Sequence, residues 1–509
     1  MRRRLVLALC ASTLGGCTLE PHYQRPAPAI PPAWPTGPAY PEAAPQPPAP
    51  VGYRDLFRDP RLLALIDQSL VQNQNLRAAV ANVAIARAQY RIQRAELWPS
   101  LDAQGSVITN RDRRGDTASA DVTRDFAANL GAAFEIDLFG KLRSLSHAAQ
   151  EQYFATEAGA EAGRLTLVAE VARAYLTLAS DRAQLEITEE TVASGQRTVD
   201  LTQARLTGGV DARTALAQAQ TVLQQARSDR ARFTTQVAQD RNALELLVGA
   251  PVADSALPAS LDELEQSLGE APAGLDSRIL LRRPDVLEAE HRLRAANAQI
   301  GAARAAFFPT ISLTGLAGYA SPQLSGLFSG RNFTWRSEGA ANLPIFNGGA
   351  NLAGLYGVRA QRELALADYQ NAIQSAFRDV ADALARRGTM NEQLAAQVAL
   401  EAASRQSYEL SLARYRAGVD PFLETLVTQR TYYASRQTLA LTRLARASNL
   451  VDLYAALGAD PTLEATPLNR PRNRDVSNAQ SHRTPDYLLS ESALTPPCQG
   501  SGRRPFRRS

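Results

Sequence analysis

The chain has 509 residues and is 45% hydrophobic but only 6% aromatic, so its apolar mass is largely Ala and Leu. With Arg, Gln and Glu these favour long helices over several bulky globular cores. The formal charge of +4 is concentrated at the two ends, in Arg2 to Arg4 and in a tail from Thr466 that carries eight Arg against three acids; the mildly acidic chain between them has no nucleic-acid footprint. Three Cys (10, 17 and 498) and four His (22, 147, 291 and 482) lie too far apart for a structural zinc site or a disulfide framework, and no cofactor is expected.

At the amino terminus, Arg2 to Arg4 and the apolar run Leu5 to Leu14 read as an export signal too short to span a bilayer. Leu14-Gly15-Gly16-Cys17 follows and resembles a bacterial lipobox, which makes residues 1–16 a lipoprotein signal peptide and Cys17 the lipidated first mature residue. The plain alternative is an incidental thiol at an ordinary signal junction. Thr18, where lipoproteins retained at the inner membrane carry Asp, favours the outer membrane by the same resemblance. Residues 17–52 are dense in Pro and Ala and poor in donors and apolar mass, so a lipid-anchored, extended strap or tether is expected. No later stretch of about 18 apolar residues occurs, which excludes a transmembrane helix.

From Tyr53 the chain nearly repeats itself at a shift of about 209 residues. Trp98-Pro99-Ser100-Leu101 recurs as Phe308-Pro309-Thr310-Ile311, Asp137-Leu138-Phe139-Gly140 is answered by Pro344-Ile345-Phe346-Asn347-Gly348, and Glu170 to Ala174 by Asp379 to Ala383. Further on, Arg205 through Gly209-Val210-Asp211 matches Arg414 through Gly418-Val419-Asp420, and Leu246 to Pro251 matches Ala455 to Pro461. Two homologous halves follow, 53–251 and 275–461, joined by a linker at 252–274 and followed by a disordered basic tail at 462–509. That tail is read as an extension without function rather than as a binding arm.

Each half has one plan. A first helix (62–97, then about 285–306) ends at an aromatic-Pro pair. Two β-like runs follow: in the second half Ile311, Leu313, Gly315, Ala317 and Tyr319 take one face, joined by Phe333, Trp335, Ser337 and Gly339 of the next run. The first half offers 101–110 and 125–136 around a charged loop at 111–124. At about ten residues each, such strands can cross an outer membrane when tilted. Residues 141–207 and 350–416 then read as helices of about 100 Å at about 1.5 Å per residue. In the first of them Leu178, Leu185, Val192, Val199 and Leu206 recur every seventh residue, a coiled-coil ladder. Each tract turns at glycine and returns as a shorter helix, 212–248 or 421–457.

These residues resemble the TolC-like outer-membrane efflux factors, NodT-type lipoprotein branch, over roughly 17–461. Arg282-Arg283-Pro284-Asp285-Val286, Glu290, Ile300-Gly301, Phe307 to Leu313, Phe134 to Lys141 and Leu343 to Gly349 carry the likeness. The resemblance implies a mainly α protein with a transmembrane β-barrel. In it, two internal repeats of helix-strand-strand-long helix-helix assemble as a homotrimer into a 12-stranded barrel and a periplasmic α-helical barrel. It also implies an outer-membrane channel of a tripartite efflux pump, with a periplasmic membrane-fusion adaptor and an inner-membrane pump, most often RND-type, as partners. Independently, four amphipathic strands cannot close around water and open edges are not tolerated in lipid, so oligomerisation is required.

Two competing classes are a type I protein-secretion conduit and a non-channel periplasmic coiled-coil lipoprotein; the alternating strands speak against the second. An enzyme has no phosphate loop, His pair or nucleophile motif to stand on. His147 and Glu151 at i, i+4 read as a solvated helix contact. With Met1 and Met390 the only methionines, there is no Met relay to suggest copper.

Three site assignments follow. Cys17 is the lipidation site. Arg205, Gly209, Asp211, Arg414, Gly418 and Asp420 form the two turns farthest from the barrel and dock the adaptor, the glycines serving either that contact or only the corner itself. Leu423 and Glu424, just after the second turn, form the periplasmic gate, a dewetted Leu ring beside a ring of like charge. In the family the position of Val427 commonly carries Asp; here Glu424 either replaces that acid or turns its carboxylate toward a neighbouring helix.

Overall fold

The computed structural model describes residues 18–41, 52–113, 120–258, 260–269, 276–458 and 460–464. Cys17, the loop tip 114–119 and the tail from residue 465 lie outside them. In chain order, α1 (Tyr53–Leu56), α2 (Pro60–Gln72) and α3 (Gln74–Ala95) lead into β1 (Ser100–Arg113) and β2 (Ala120–Ile136), then α4 (Lys141–Thr207) and α5 (Arg213–Val248). After α6 (Leu261–Gln266) come α7 (Pro284–Ala305), β3 (Thr310–Ser321), β4 (Phe333–Asn342), α8 (Ala350–Arg416), α9 (Phe422–Leu457) and α10 (Pro461–Glu464).

Glycine sets the lengths of the long helices. Gly140 and Gly349, at φ +76° and +86°, hold left-handed conformations that admit the chain to α4 and α8, each 67 residues long as the sequence predicts. The first helix differs from its expectation. Asn73 divides 62–97 into α2 and α3: its side chain caps α3 by accepting from the Leu76 N–H at 2.9 Å and donates to the Leu247 carbonyl at 2.8 Å. Gly249, at the end of α5, is pressed against this corner, since a Cβ there would lie 2.7 Å from the Gln72 carbonyl oxygen.

The four strands form one antiparallel sheet in the order β1-β2-β3-β4, with β1 and β2 reaching further than expected into the 111–124 loop. The main core gathers where α2, α4, α5, α7, α8 and α9 meet, around Phe57, Leu62, Ile66, Val168, Tyr175, Leu176, Leu244, Leu280 and Val451.

The Leu/Val ladder on α4 is not its buried seam. Leu178 is buried, but Leu185, Val192, Val199 and Leu206 are half-buried. Gln184, Thr188, Thr191, Gly195, Thr198 and Thr202 take the inner positions instead, at alternating steps of four and three. Small side chains let helices approach closely, as at Gly195, whose Cβ position lies 3.5 Å from the Leu223 Cα. The threonine hydroxyls are buried without penalty because they donate one turn back, Thr188 to the Gln184 carbonyl and Thr202 to the Thr198 carbonyl at 2.7 and 2.8 Å.

Channel wall and periplasmic tips

Residues paired across an antiparallel ladder share a face, so the registers divide the sheet in two. Leu101, Val107, Phe126, Leu130, Phe134, Ile311, Leu313, Tyr319, Phe333 and Trp335 fall on one side. Asp102, Gln104, Ser106, Asp125, Asn129, Glu135, Ser312, Thr314, Arg336 and Glu338 fall on the other. Gly131 leaves room for the Asp102 carboxylate, whose oxygen lies 3.0 Å from where a Cβ would stand. An apolar face backed by a charged one is the pattern of a membrane barrel wall. Among the described residues no helix is long and apolar enough to cross a membrane.

The described part of the N-terminal segment, residues 18–41, forms no helix or strand and is docked rather than free. Thr18 lies on Gly140, where a Cβ would meet the Thr18 Cα at 3.0 Å. Asn297 and Arg304 donate to the carbonyls of Pro21 and Leu19 at 2.7 and 3.1 Å. Arg25 and Arg294 both reach the buried Glu290, and Trp34 stacks on Phe377 at 5.0 Å. Its few large side chains find slots prepared in α7 and α8, a complementarity no local pattern reveals.

His147 and Glu151 are likewise more than a solvated contact. His147 Nδ1 lies 2.9 Å from the strap's Glu20 and its Nε2 3.5 Å from Glu151. His291 of α7 reaches the other Glu151 oxygen at 2.6 Å. Hydrogen bonds to Glu151 and then Glu20 push His147 up to about 10. Burial would raise Glu151, but hydrogen bonds from His147 and His291 outweigh it and hold the carboxyl at about 2. Among the described residues no His, Cys, Asp and Glu group is arranged to hold a metal.

At the far end of the long helices the structure pairs the turn residues internally. Arg205 Nε bonds Asp211 Oδ2 at 3.0 Å, and Arg414 bonds Asp420 at 2.5 and 2.9 Å. Gly209 and Gly418 take φ +74° and +75°, the conformation each corner requires. Val210 and Val419, each next to its corner glycine, are 66% and 62% exposed.

Sequence reasoning missed Tyr415. Fully buried, it donates to Asp211 Oδ2 at 2.5 Å, lies 3.1 Å from Thr202 Oγ1 and packs its ring at a tilt against Phe422 with centroids 5.3 Å apart, the Arg205 guanidinium lying 4.8 Å over its ring. A second rung repeats the chemistry: Tyr433 lies 3.2 Å from Thr188 Oγ1 and donates to Asp229 at 3.1 Å. Thr-Tyr-Asp rungs thus tie the α4/α5 hairpin to the α8/α9 hairpin. Beside them Leu423, Glu424 and Val427 are exposed on the first turns of α9, whereas Phe422, Thr425 and Leu426 are buried.

A membrane-type sheet continued by paired helices of about 100 Å defines an outer-membrane channel protein with a long helical extension. The family model of the outer membrane efflux protein matches residues 65–250 and 275–459, and the chain belongs to that family. It is 44% identical over 460 residues to the probable efflux pump outer membrane protein TtgC of Pseudomonas putida, covering 89% of this chain and 95% of the relative. It is 40% identical over 458 residues to the cation efflux system protein CusC of Escherichia coli, covering 89% and 98%. Crystal structures of CusC (TM-score 0.78, 40% identity, 87% of this chain and 100% of that one) and of the open MtrE outer membrane channel of Neisseria gonorrhoeae (0.79, 35%, 87% and 98%) share the fold. The protein is therefore an outer-membrane channel component of an efflux system, and its relatives are named as channel and efflux components rather than enzymes.

Proposed function

We propose that the chain works as a homotrimer that passively conducts small molecules, delivered by an inner-membrane pump of RND type through a periplasmic adaptor, out across the outer membrane. The observation that carries this reading is the pair of hairpin tips about 100 Å along the helices from the sheet, each ending in an exposed valine braced by an internal Arg-Asp pair. In this reading Arg205, Gly209, Asp211, Arg414, Gly418 and Asp420 hold the docking turns in shape, while Val210 and Val419 supply the apolar contact. Photo-crosslinking from positions 210 and 419 in cells should capture a periplasmic adaptor-type protein. Capture of none by correctly folded, surface-localised protein would overturn the assignment.

Cys17 is the proposed lipid anchor, a reading supported by the docking of the next residue, Thr18, beside Gly140, four residues after β2 ends. Mass spectrometry should find a diacylglyceryl-modified Cys17 as the first mature residue; an intact Met1 in the envelope fraction would contradict it. The division into signal peptide (1–16), strap (17–52), repeats (53–251 and 275–461), linker (252–274) and tail (462–509) belongs to the same proposal.

A further inference from the structure

Beside the Tyr433-Thr188 rung, α4, α8 and α9 leave a cavity of about 350 Å³, a size that holds a small organic ligand. Glu190 and Arg197 enter it from α4, Tyr408 from α8, and Gln429, Tyr432 and Arg436 from α9. The rings of Tyr408 and Tyr432 stack with centroids 5.8 Å apart, and the Arg436 guanidinium lies 5.6 Å over Tyr432. Burial pushes both phenols up, so these aromatic walls stay neutral at physiological pH. Arg436 is balanced by Glu190 at 2.6 Å. Arg197 has no ion pair among the described residues, so the cavity keeps one uncompensated positive charge.

Gln429 supplies the second observation. It is 4% exposed, and its Nε2 has no hydrogen-bond partner among the described residues. A buried donor without an acceptor is costly and rare, and this one borders the cavity. The fold does not impose the arrangement, as the internal repeat shows. At the shift of about 209 residues, Gln429 corresponds to Gln220, which is exposed, and Tyr408 and Tyr432 correspond to Val199 and Leu223. The second half alone carries the aromatic pair and the buried amide.

We propose that this cavity binds a small aromatic carboxylate. The stacked tyrosines offer flat, polarisable surface for the ring. Gln429 Nε2 and the Arg197 guanidinium are donors in need of an acceptor, and a carboxylate satisfies both with charge-assisted hydrogen bonds. Because α4 belongs to one hairpin and α8 and α9 to the other, the bound acid bridges the two hairpins. It therefore favours the tied arrangement by as much as it prefers it.

The site lies within one chain, so binding stands apart from the ring-forming reading above. Isothermal titration calorimetry of the purified full-length protein should show saturable binding of 2-naphthoate. Binding of 2-naphthamide, which lacks the charge, and of cyclohexanecarboxylate, which lacks the ring, should each be about tenfold weaker or more. Gln429→Leu and Arg197→Gln should each weaken 2-naphthoate by about tenfold. Without ligand, Gln429→Leu should unfold at a higher temperature than wild type, because the unpaired donor is gone. Folded wild type that does not bind 2-naphthoate would overturn the site, and so would equal affinity in wild type and both variants, which places binding elsewhere. Cyclohexanecarboxylate bound as tightly as 2-naphthoate would overturn the aromatic assignment. In a planar bilayer 2-naphthoate should lower the current through Tyr415→Phe; an unchanged current at saturating ligand would overturn the bridge while leaving the site.

Discussion

Replacing Tyr415 with Phe should loosen the periplasmic end. The substitution keeps the ring buried against Phe422 and beneath Arg205 and deletes only the hydroxyl, which donates to Asp211 at 2.5 Å and lies 3.1 Å from Thr202 Oγ1. Burial, and then the Asp211 carboxylate, push the phenol up, so it remains a donor throughout the physiological range. A hydrogen bond to a charged acceptor contributes about 1.5–3 kcal/mol, and Arg205 still satisfies Asp211, so no charge is stranded and the loss should fall near 2 kcal/mol. About 1.4 kcal/mol is a factor of ten in an equilibrium constant, which makes the untied hairpins about 30-fold more populated. Cells producing the variant should admit vancomycin and become sensitive to it, and adding Tyr433→Phe at the second rung should deepen the effect. Wild-type resistance at equal outer-membrane abundance would refute the idea that these rungs hold the tips closed.

The Glu151 cluster gives the strap a pH window. His147 rises in the fold from its ordinary 6.5 to about 10, so its contribution is complete below 6.5 and fades as pH rises through 10. Glu151 is lowered from 4.5 to about 2, so its contribution is complete above 4.5 and fades toward 2. Trypsin cleavage after Arg25 should therefore increase only outside that window, and His147→Gln should abolish the alkaline limb; a flat profile would contradict the latch. Gly388→Val should lift the strap, because a Cβ there overlaps the Ala39 carbonyl; unstacking of Trp34 from Phe377 should appear in the Trp fluorescence, and an unchanged spectrum would count against the contact. Leu423→Ala with Glu424→Ala should raise single-channel conductance if these exposed residues ring the gate, whereas unchanged conductance in assembled protein would place the closure elsewhere.

Much of the fold is legible in the sequence because glycine and proline punctuate it. Gly140, Gly349, Pro99 and Pro309 mark where helices and strands exchange, and the alternation from Ile311 to Tyr319 assigns the sheet faces that the ladders display. What local patterns do not contain is choice among partners. A heptad of Leu and Val on α4 is as regular as the Thr and Gly heptad beside it; only the need for close approach to α5 and to the tyrosines of α8 and α9 decides which is buried. Asn73 reads as an ordinary helix residue until the end of α5 is seen against it. At the tips the Arg-Asp spacing was visible, but the Tyr415 bond to Asp211 crosses 204 residues of chain, and its only sequence signal was a tyrosine next to a repeated arginine.

The central claim, that this chain forms a water-filled conduit through the outer membrane, is tested most directly by adding purified full-length protein to one side of a planar lipid bilayer and recording current. The account predicts discrete, uniform conductance steps, enlarged by Tyr415→Phe. Folded protein that inserts into the bilayer yet passes no current, in both wild-type and Tyr415→Phe forms, would contradict it.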